Sequence, residues 1–242
     1  MSKSERLDKF ISTQTSYSRK DIKALAKKGQ ITVNGAVVKA CDIKVDPITD
    51  VISVCAQMIA YKKYVYYMMN KPAGVLSATE DGRQKTVLDL VSPQMKRLGL
   101  FPVGRLDKDT CGLLLLTDDG DFAHRVISPK SEVEKLYYAK VDGEPDSKDA
   151  EAFAKGIVLA DGTQCLPARL QLLGGDECLV TVMEGKYHQV KRMLASRGKP
   201  VLELKRLSIG QLRLDEALAP GEYREMTEID LCKVFSKDFM EK

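Results

Sequence analysis

Long hydrophobic runs are missing from this sequence, and no apolar stretch approaches the roughly 18 residues that a membrane-spanning helix needs. The first ten residues, MSKSERLDKF, carry too many charged side chains for a secretory signal peptide. Hydrophobic residues make up 44% and charged residues 30% of the 242 residues, which is typical of a globular protein with a substantial core. We therefore predict a soluble, cytoplasmic enzyme or binding protein without a membrane partner.

Histidine is scarce, and the cysteines do not form C-x-x-C pairs. With only two histidines, His124 and His188, a zinc site of Cys and His ligands is not expected, and no metal ion is implied. Nothing in the sequence suggests export, so we predict six reduced thiols, most of them in the core. The cysteines are Cys41, Cys55, Cys111, Cys165, Cys178 and Cys232.

Neither a G-x-G-x-x-G pattern nor a P-loop occurs, so a doubly wound nucleotide-binding fold is not expected. Hairpin patterns outnumber strand–helix–strand crossovers. These features predict an α+β fold. We expect a small N-terminal helix–helix–hairpin module at residues 1–60, followed by a larger domain at residues 61–242 with a mainly antiparallel mixed sheet.

The positive charge is concentrated at one end of the chain. Of 38 basic and 34 acidic side chains, 10 basic and 6 acidic ones lie in the first 60 residues, so the remaining 182 residues hold 28 of each. The whole net charge of +4 therefore belongs to the first quarter. This asymmetry indicates an N-terminal module that binds a polyanion.

Two helices are predicted in the N-terminal module. Residues 4–12 form the first, with Ser4 as its N-cap. Residues 18–28 form the second, capped by Ser18 and ended by Gly29. The second helix presents a basic face, for which a solvated surface without a ligand is the alternative interpretation. That face consists of Arg19, Lys20, Lys23, Lys27 and Lys28.

The stretch ITVNGAVV, residues 31–38, reads as two strands joined at Asn34-Gly35, a pair typical of tight hairpins. Residues 56–63 read as the connection to the next domain. Helix, basic helix and hairpin in this order resemble the S4-type RNA-binding module, which implies lysine and arginine contacts to the RNA backbone. On that resemblance the RNA-binding residues are Arg6, Lys9, Arg19, Lys20, Lys23, Lys27 and Lys28.

In the larger domain, apolar patterning predicts strands and helices separated by glycine and acidic turns. A hairpin is expected across Gly174-Gly175-Asp176, and Ser147 is the predicted cap of one helix. The predicted strands are 64–70, 113–116, 135–143, 168–173, 177–183 and 201–214, and the predicted helices are 86–91, 121–128, 147–155 and 187–198.

The segment GRLDKDTCGLLLLTDDG, residues 104–120, places a charged turn directly before a leucine strand that must be buried. A carboxylate there, Asp107, needs a cationic partner to stay charged in partly dry surroundings. The segment EGKYHQVKRM, residues 184–193, offers one, because His188 and Lys191 share a helix side while Arg192 lies about 100° away. A turn aspartate and a basic surface helix without catalytic roles are the alternatives.

Residues 104–120 also resemble the pseudouridine synthase signature G-R-L-D-x-x-T-x-G-L-L-L-x-T-x-D-G at every fixed position. Lys71-Pro72-x-Gly74, Lys135-Leu136-Tyr137 and residues 184–193 resemble the family's other motifs. Residues 218–224 resemble the closing segment of the branch with an S4 module. Within that branch, residues 187–193 most resemble members that act on small-subunit (16S) rRNA. Large-subunit rRNA, or a non-catalytic S4-type assembly factor, are the alternatives.

The resemblance implies roles for three residues. Asp107 is the catalytic carboxylate, and Tyr137 packs on a flipped uracil. Lys191 stands where many relatives have an arginine paired with that carboxylate, so it keeps the charge but loses the bidentate geometry. The implied RNA contacts in this domain are Arg105, Lys71, His188, Gln189 and Arg192.

The resemblance also implies the reaction and its partners. Pseudouridine formation breaks the N1–C1′ bond of a uridine, turns the base and rejoins it through C5. No cofactor is expected, because nothing is oxidised and no group enters from outside. The expected partner is ribosomal RNA or an assembling small ribosomal subunit, and the protein is expected to be a monomer.

Overall fold

The computed structural model describes residues 4–96 and 98–236. Its internal contacts divide the chain into two compact units. The first consists of residues up to Tyr64 together with the segment Pro93–Leu98, and the second of Val65–Ser92 and the residues from Gly99 onward. Among the described residues, no helix is long and apolar enough to cross a bilayer.

The first unit packs two helices against a four-stranded antiparallel sheet in the order β3-β2-β5-β6. Leu7, Phe10 and Ile11 of the first helix are buried against Ile22 of the second. A separate two-stranded pair joins β1 to β4. The elements are β1 Glu5–Arg6, α1 Leu7–Gln14, α2 Arg19–Lys27, β2 Ile31–Val33, β3 Ala36–Val37, β4 Lys44–Val45, β5 Ile52–Val54, β6 Gln57–Met58 and α3 Pro93–Lys96.

Two predictions for this unit are confirmed. Ser18 caps α2 in a reciprocal capping box, because its Oγ accepts from the Asp21 amide at 3.2 Å while the Asp21 carboxylate accepts from the Ser18 amide at 2.9 Å. Asn34 and Gly35 connect β2 and β3 with φ of 52° and 81°, as a type I′ hairpin requires.

Two other predictions for this unit are wrong. Ser4 does not cap α1, which follows Arg6 without a side-chain cap, because Glu5 and Arg6 are extended against Val45 and Lys44. The predicted connection at residues 56–63 also contributes a strand, since Gln57 and Met58 pair with β5.

The second unit is built on a nine-stranded sheet with the main order β11-β12-β10-β13-β9-β7-β15; β8 pairs with β9 and β14 with β13. Only the β13–β9 pairing is parallel among these described strands. The elements are β7 Tyr66–Lys71, β8 Phe101–Pro102, β9 Cys111–Thr117, α4 Gly120–Ile127, β10 Lys135–Val141, α5 Ser147–Lys155, β11 Arg169–Gly174, β12 Glu177–Val182, α6 Gln189–Ser196, β13 Val201–Ile209, β14 Leu212–Arg213, β15 Tyr223–Glu225 and α7 Glu228–Phe235, with 3₁₀ turns at Val87–Asp89 and Pro129–Ser131.

Strand β9 lies at the centre of this sheet and carries the charged turn at its start. Its four leucines, 113–116, are completely buried, which accounts for the apolar run in the sequence. Gly112 lets β9 approach β13 closely, because a Cβ at this position would lie 2.2 Å from the Arg206 carbonyl oxygen. The turn at residues 104–110 is therefore anchored to the most buried strand of the unit.

The helices α5 and α6 cover one apolar cluster of the sheet and α4 and α7 another. The predicted hairpin at residues 174–176 is confirmed. Helix α5 is capped by Asp146 and not by Ser147, because the Asp146 carboxylate accepts from the Asp149 amide. Helix α6 starts at Gln189, since His188 has a left-handed backbone with φ of 48°.

All six cysteines are free, but the prediction that most of them lie in the core is wrong. Cys41, Cys165 and Cys178 are buried. Cys111 is half-buried at the start of β9, and the other two are exposed. Cys55 lies on a turn and Cys232 on the exposed side of α7. An apolar neighbour in the sequence therefore does not ensure that a cysteine is buried.

Candidate active site

A pocket in the second unit brings three distant parts of the chain together. The turn before β9, the strand β10 and the segment that enters α6 form its walls. It is lined by Arg105, Leu106, Asp107, Thr110, Tyr137, Val182, Glu184, Gly185, Lys186, His188, Gln189, Val190, Lys191 and Leu204.

Lys71 fixes the turn that carries Asp107. Its Nζ donates to the carbonyl oxygens of Asp107 at 3.0 Å and of Thr110 at 2.8 Å, and also to those of Pro72 and Lys108. The residue is completely buried, and this burial lowers the pKa of Lys71 to about 8. The prediction that Lys71 contacts RNA is therefore wrong, because its buried ammonium donates to backbone carbonyls of the turn.

Asp107 points into the pocket between two basic side chains. Its side chain is 25% exposed, so a ligand can reach it. One carboxylate oxygen lies 3.3 Å from His188 Nε2, and the other lies 3.5 Å from Lys191 Nζ. The structure therefore brings together the predicted carboxylate, Asp107, and the two basic side chains predicted beside it, His188 and Lys191.

Lys191 is shared between two carboxylates. Its Nζ donates a hydrogen bond to Asp109 Oδ1, which is a shorter contact than the one to Asp107. This hydrogen bond lowers the pKa of Asp109 below the ordinary value of an aspartate. Asp109 is thus a site residue that sequence reasoning missed, because its place in the turn does not indicate which cation it contacts.

The neighbouring Arg192 points away from this group, as the helical spacing predicts. It forms an ion pair with Asp161 at 2.6 Å. Asp161 lies on the loop that precedes β11, and its pKa falls to about 2 mainly because the carboxylate accepts hydrogen bonds from Thr163 and then from Arg192. Arg192 therefore ties α6 to this loop.

Gln189 also lines the pocket, although it is only 5% exposed and its side-chain amide is bonded within the protein. Its amide nitrogen donates to Glu184 Oε1 at 2.8 Å, and its amide oxygen accepts from the Lys186 backbone at 3.0 Å. The buried Glu184 carboxylate accepts in addition from the Leu166 amide at 2.9 Å. Together these bonds fix the segment that carries His188 into the pocket.

Tyr137 stands on β10 directly opposite Arg206 on β13. Arg206 is 4% exposed; its Nε donates to the Leu113 carbonyl at 2.7 Å, and its Nη1 donates to the Tyr137 hydroxyl at 3.4 Å. Its Nη2 is buried without a hydrogen-bond partner among the described residues. Sequence reasoning missed Arg206, although a basic residue in phase with the buried Leu204 on one strand is a usable signal.

The remaining predicted RNA contacts are exposed. Arg105 lines the pocket, and the basic residues of the first unit lie on its surface. Arg6 is held by an ion pair to Asp8 at 2.8 Å. Within residues 4–96 and 98–236, no three His, Cys, Asp or Glu side chains come together as metal ligands would. The site offers a carboxylate, basic side chains and an aromatic ring.

Comparisons with known proteins identify the family of this chain. A family model described as RNA pseudouridylate synthase matches residues 65–196, and one described as the S4 domain matches residues 5–47. An uncharacterized RNA pseudouridine synthase of Bacillus subtilis is 45% identical over 230 residues, covering 93% of this chain and 96% of the relative. Ribosomal small subunit pseudouridine synthase A of Vibrio cholerae is 42% identical over 231 residues, covering 95% and 99%. A crystal structure of a pseudouridylate synthase matches with a TM-score of 0.68 and 35% identity, over 95% of this chain and 99% of that one.

Proposed function

Because the chain belongs to the RNA pseudouridylate synthase family and carries an S4 domain, we propose that it isomerises a uridine of small-subunit (16S) ribosomal RNA, with Asp107 as the catalytic carboxylate. The observation that carries this proposal is the position of Asp107, which faces the pocket between His188 and Lys191. The similarity to a ribosomal small subunit pseudouridine synthase A over nearly the full length of both chains supports the choice of RNA.

The reaction is an isomerisation, so the product has the same atomic composition as the uridine. The N1–C1′ bond breaks, the detached uracil turns, and C5 bonds to C1′; the hydrogen on C5 then leaves to solvent as a proton, while N1 takes up a proton from solvent. Asp107 acts at the ribose, either by bonding to C1′ or by accepting the C2′ proton to give a glycal. Both routes need an ionised carboxylate at the start.

Tyr137 is the platform for the flipped base in this proposal. A uracil must leave its stack to reach Asp107, which costs a few kcal/mol. Stacking on an aromatic ring returns roughly 1–3 kcal/mol per base. The hydrogen bond from Arg206 to the Tyr137 hydroxyl limits rotation of that side chain and holds the ring at the wall of the pocket.

Asp107→Asn tests the role of the carboxylate. The amide keeps the shape of the side chain but has no charge, so we expect tritium release from 16S rRNA containing 5-³H-uridine to fall by at least about a thousandfold. RNA affinity should stay within about twofold, since the substitution removes no positive charge. A variant that releases tritium at a rate near that of the wild type would refute the assignment of Asp107.

The choice of RNA is tested separately by mapping pseudouridines. The purified wild-type protein is incubated with unmodified 16S rRNA, with unmodified 23S rRNA and with immature small-subunit particles. We expect one new pseudouridine in the small-subunit RNA. Modification confined to 23S rRNA would favour the large-subunit alternative and leave the role of Asp107 intact.

A further inference from the structure

Among the described residues, Lys191 is the only lysine or arginine within ion-pair distance of Asp107. Its ammonium nevertheless lies closer to Asp109 than to Asp107. Its hydrogen bond goes to Asp109, and it stands 3.5 Å from the Asp107 carboxylate. The contact to Asp107 is therefore electrostatic and leaves the lone pairs of that oxygen available. An oxygen that must bond to a carbon or accept a proton needs such a free lone pair.

A lysine needs outside help to occupy this position. Its ammonium is a point charge on a flexible stem, whereas an arginine can hold one carboxylate through two parallel hydrogen bonds. A single lysine facing Asp107 alone could swing into solvent or collapse onto the catalytic oxygen, and either movement would change the charge felt by the substrate.

Asp109 is suited to prevent both movements. It lies two residues after Asp107 on a turn that Lys71 fixes from behind through the carbonyls of Asp107, Lys108 and Thr110. The two carboxylates are therefore held in a constant relation by the same backbone. The Lys191 side chain is 21% exposed and that of Asp109 is 75% exposed, so substitution of Asp109 leaves the core untouched.

We propose that Asp109 is a positioning residue, which holds the Lys191 ammonium beside Asp107 and supplies the second contact that a guanidinium would make by itself. This inference rests on the proposed role of Asp107. It makes Asp109 and Lys191 a pair that acts through the electrostatics of Asp107, and it predicts that Asp109 matters only while residue 191 is a lysine.

A double-mutant cycle tests this dependence. The single-turnover rate at saturating enzyme is measured for Asp109→Asn in the native background and again in the Lys191→Arg background. We expect Asp109→Asn to lower the rate about tenfold in the native background and less than about twofold in the Lys191→Arg background. RNA affinity should change less than about twofold in both, because Asp109 is not proposed to touch the RNA.

Asp161→Asn is the matched control. It removes an exposed carboxylate that pairs with the next residue of the same helix, Arg192, at 2.6 Å, but it leaves Asp107 and Lys191 unchanged. We expect its single-turnover rate to stay within about twofold of the wild type. An equal loss in the control would show a general effect of surface charge and would overturn the inference.

Three further results would overturn it. They are an unchanged or faster rate for Asp109→Asn in the native background, an equal loss in both backgrounds, and a loss of RNA affinity in place of rate. Asp107→Asn is measured in the same series. If Asp107→Asn is inactive while Asp109→Asn is normal, only this inference fails, whereas an active Asp107→Asn variant removes the proposed function itself.

Discussion

At the scale of single residues, the site consists of carboxylates and basic side chains that pair with one another in a fixed geometry. Asp107 remains accessible from the pocket because other residues make the hydrogen bonds that hold this part of the structure. Lys71 holds its turn, Asp109 holds Lys191, and Gln189 holds the segment that carries His188. The carboxylate is then accessible and stationary at once, which the proposed catalytic role of Asp107 requires.

Tyr137 allows a prediction at this scale, because its ring and its hydroxyl have separable roles. Tyr137→Leu removes the stacking surface, worth roughly 1–3 kcal/mol, so we expect kcat/KM to fall by about 5-fold to 150-fold. Tyr137→Phe keeps that surface and loses only the hydrogen bond from Arg206 to the hydroxyl, so its affinity for RNA should remain above that of the leucine variant. Equal affinity and kcat/KM for Tyr137→Leu and the wild type would exclude Tyr137 as the platform.

At the scale of elements, α2 combines a buried apolar side with an exposed basic side. Ile22 and Ala26 are completely buried, and the capping box at Ser18 fixes where the helix starts. The lysines therefore have a defined direction relative to the sheet of the first unit. An ordered basic face of this kind suits the phosphates of a structured RNA.

Replacing Lys20, Lys23 and Lys27 by glutamine tests this face. Each phosphate contact contributes about 0.7–0.9 to the slope of log K against log salt concentration, so we expect the steepness of that slope to decrease by up to about 2.7 and the affinity at low salt to fall. The matched control replaces Lys130, Lys148 and Lys155, which removes the same charge from the second unit. Identical slopes for the two triple variants would show that net charge, not this face, controls binding.

At the scale of the whole molecule, two buried lysines couple folding to pH. Burial lowers the pKa of both Lys71 and Lys135 to about 8, whereas a lysine in an unfolded chain titrates near 10.4. Between these two pH values the unfolded chain binds more protons, so the free energy of unfolding rises with pH. Below pH 8 both states are protonated and the cost of burying the charge is present in full.

Lys135→Met isolates one of these groups. The free energy of unfolding, measured by urea titration at pH 7 and pH 10, should increase with pH more for the wild type than for the variant, by on the order of 2 kcal/mol. Lys155→Met serves as the control, because Lys155 is exposed on α5. A wild-type and a Lys135→Met protein with parallel pH dependences would show that Lys135 does not contribute this linkage.

Local signals in the sequence were sufficient for much of the fold. The buried leucine strand at residues 113–116, the cap at Ser18 and the hairpin at Asn34-Gly35 follow from side-chain periodicity and backbone preference, which act within a few residues. The family motifs likewise indicated the type of enzyme, because each motif is a short run of neighbouring residues. The cytoplasmic location and the monomeric state stay predictions.

Only the tertiary structure decided which polar side chains face the pocket and which lie beneath it. The sequence predicts Lys71 as an RNA contact, but the fold buries it completely, and Gln189 keeps only a small exposed surface at the pocket. Arg206 reaches Tyr137 only because β13 lies beside β10, and Asp109 reaches Lys191 across 82 residues of sequence. Burial and pairing between distant segments depend on the whole packed chain, whereas periodicity and turn chemistry act locally, and this is why the elements could be predicted and the electrostatics of the site could not.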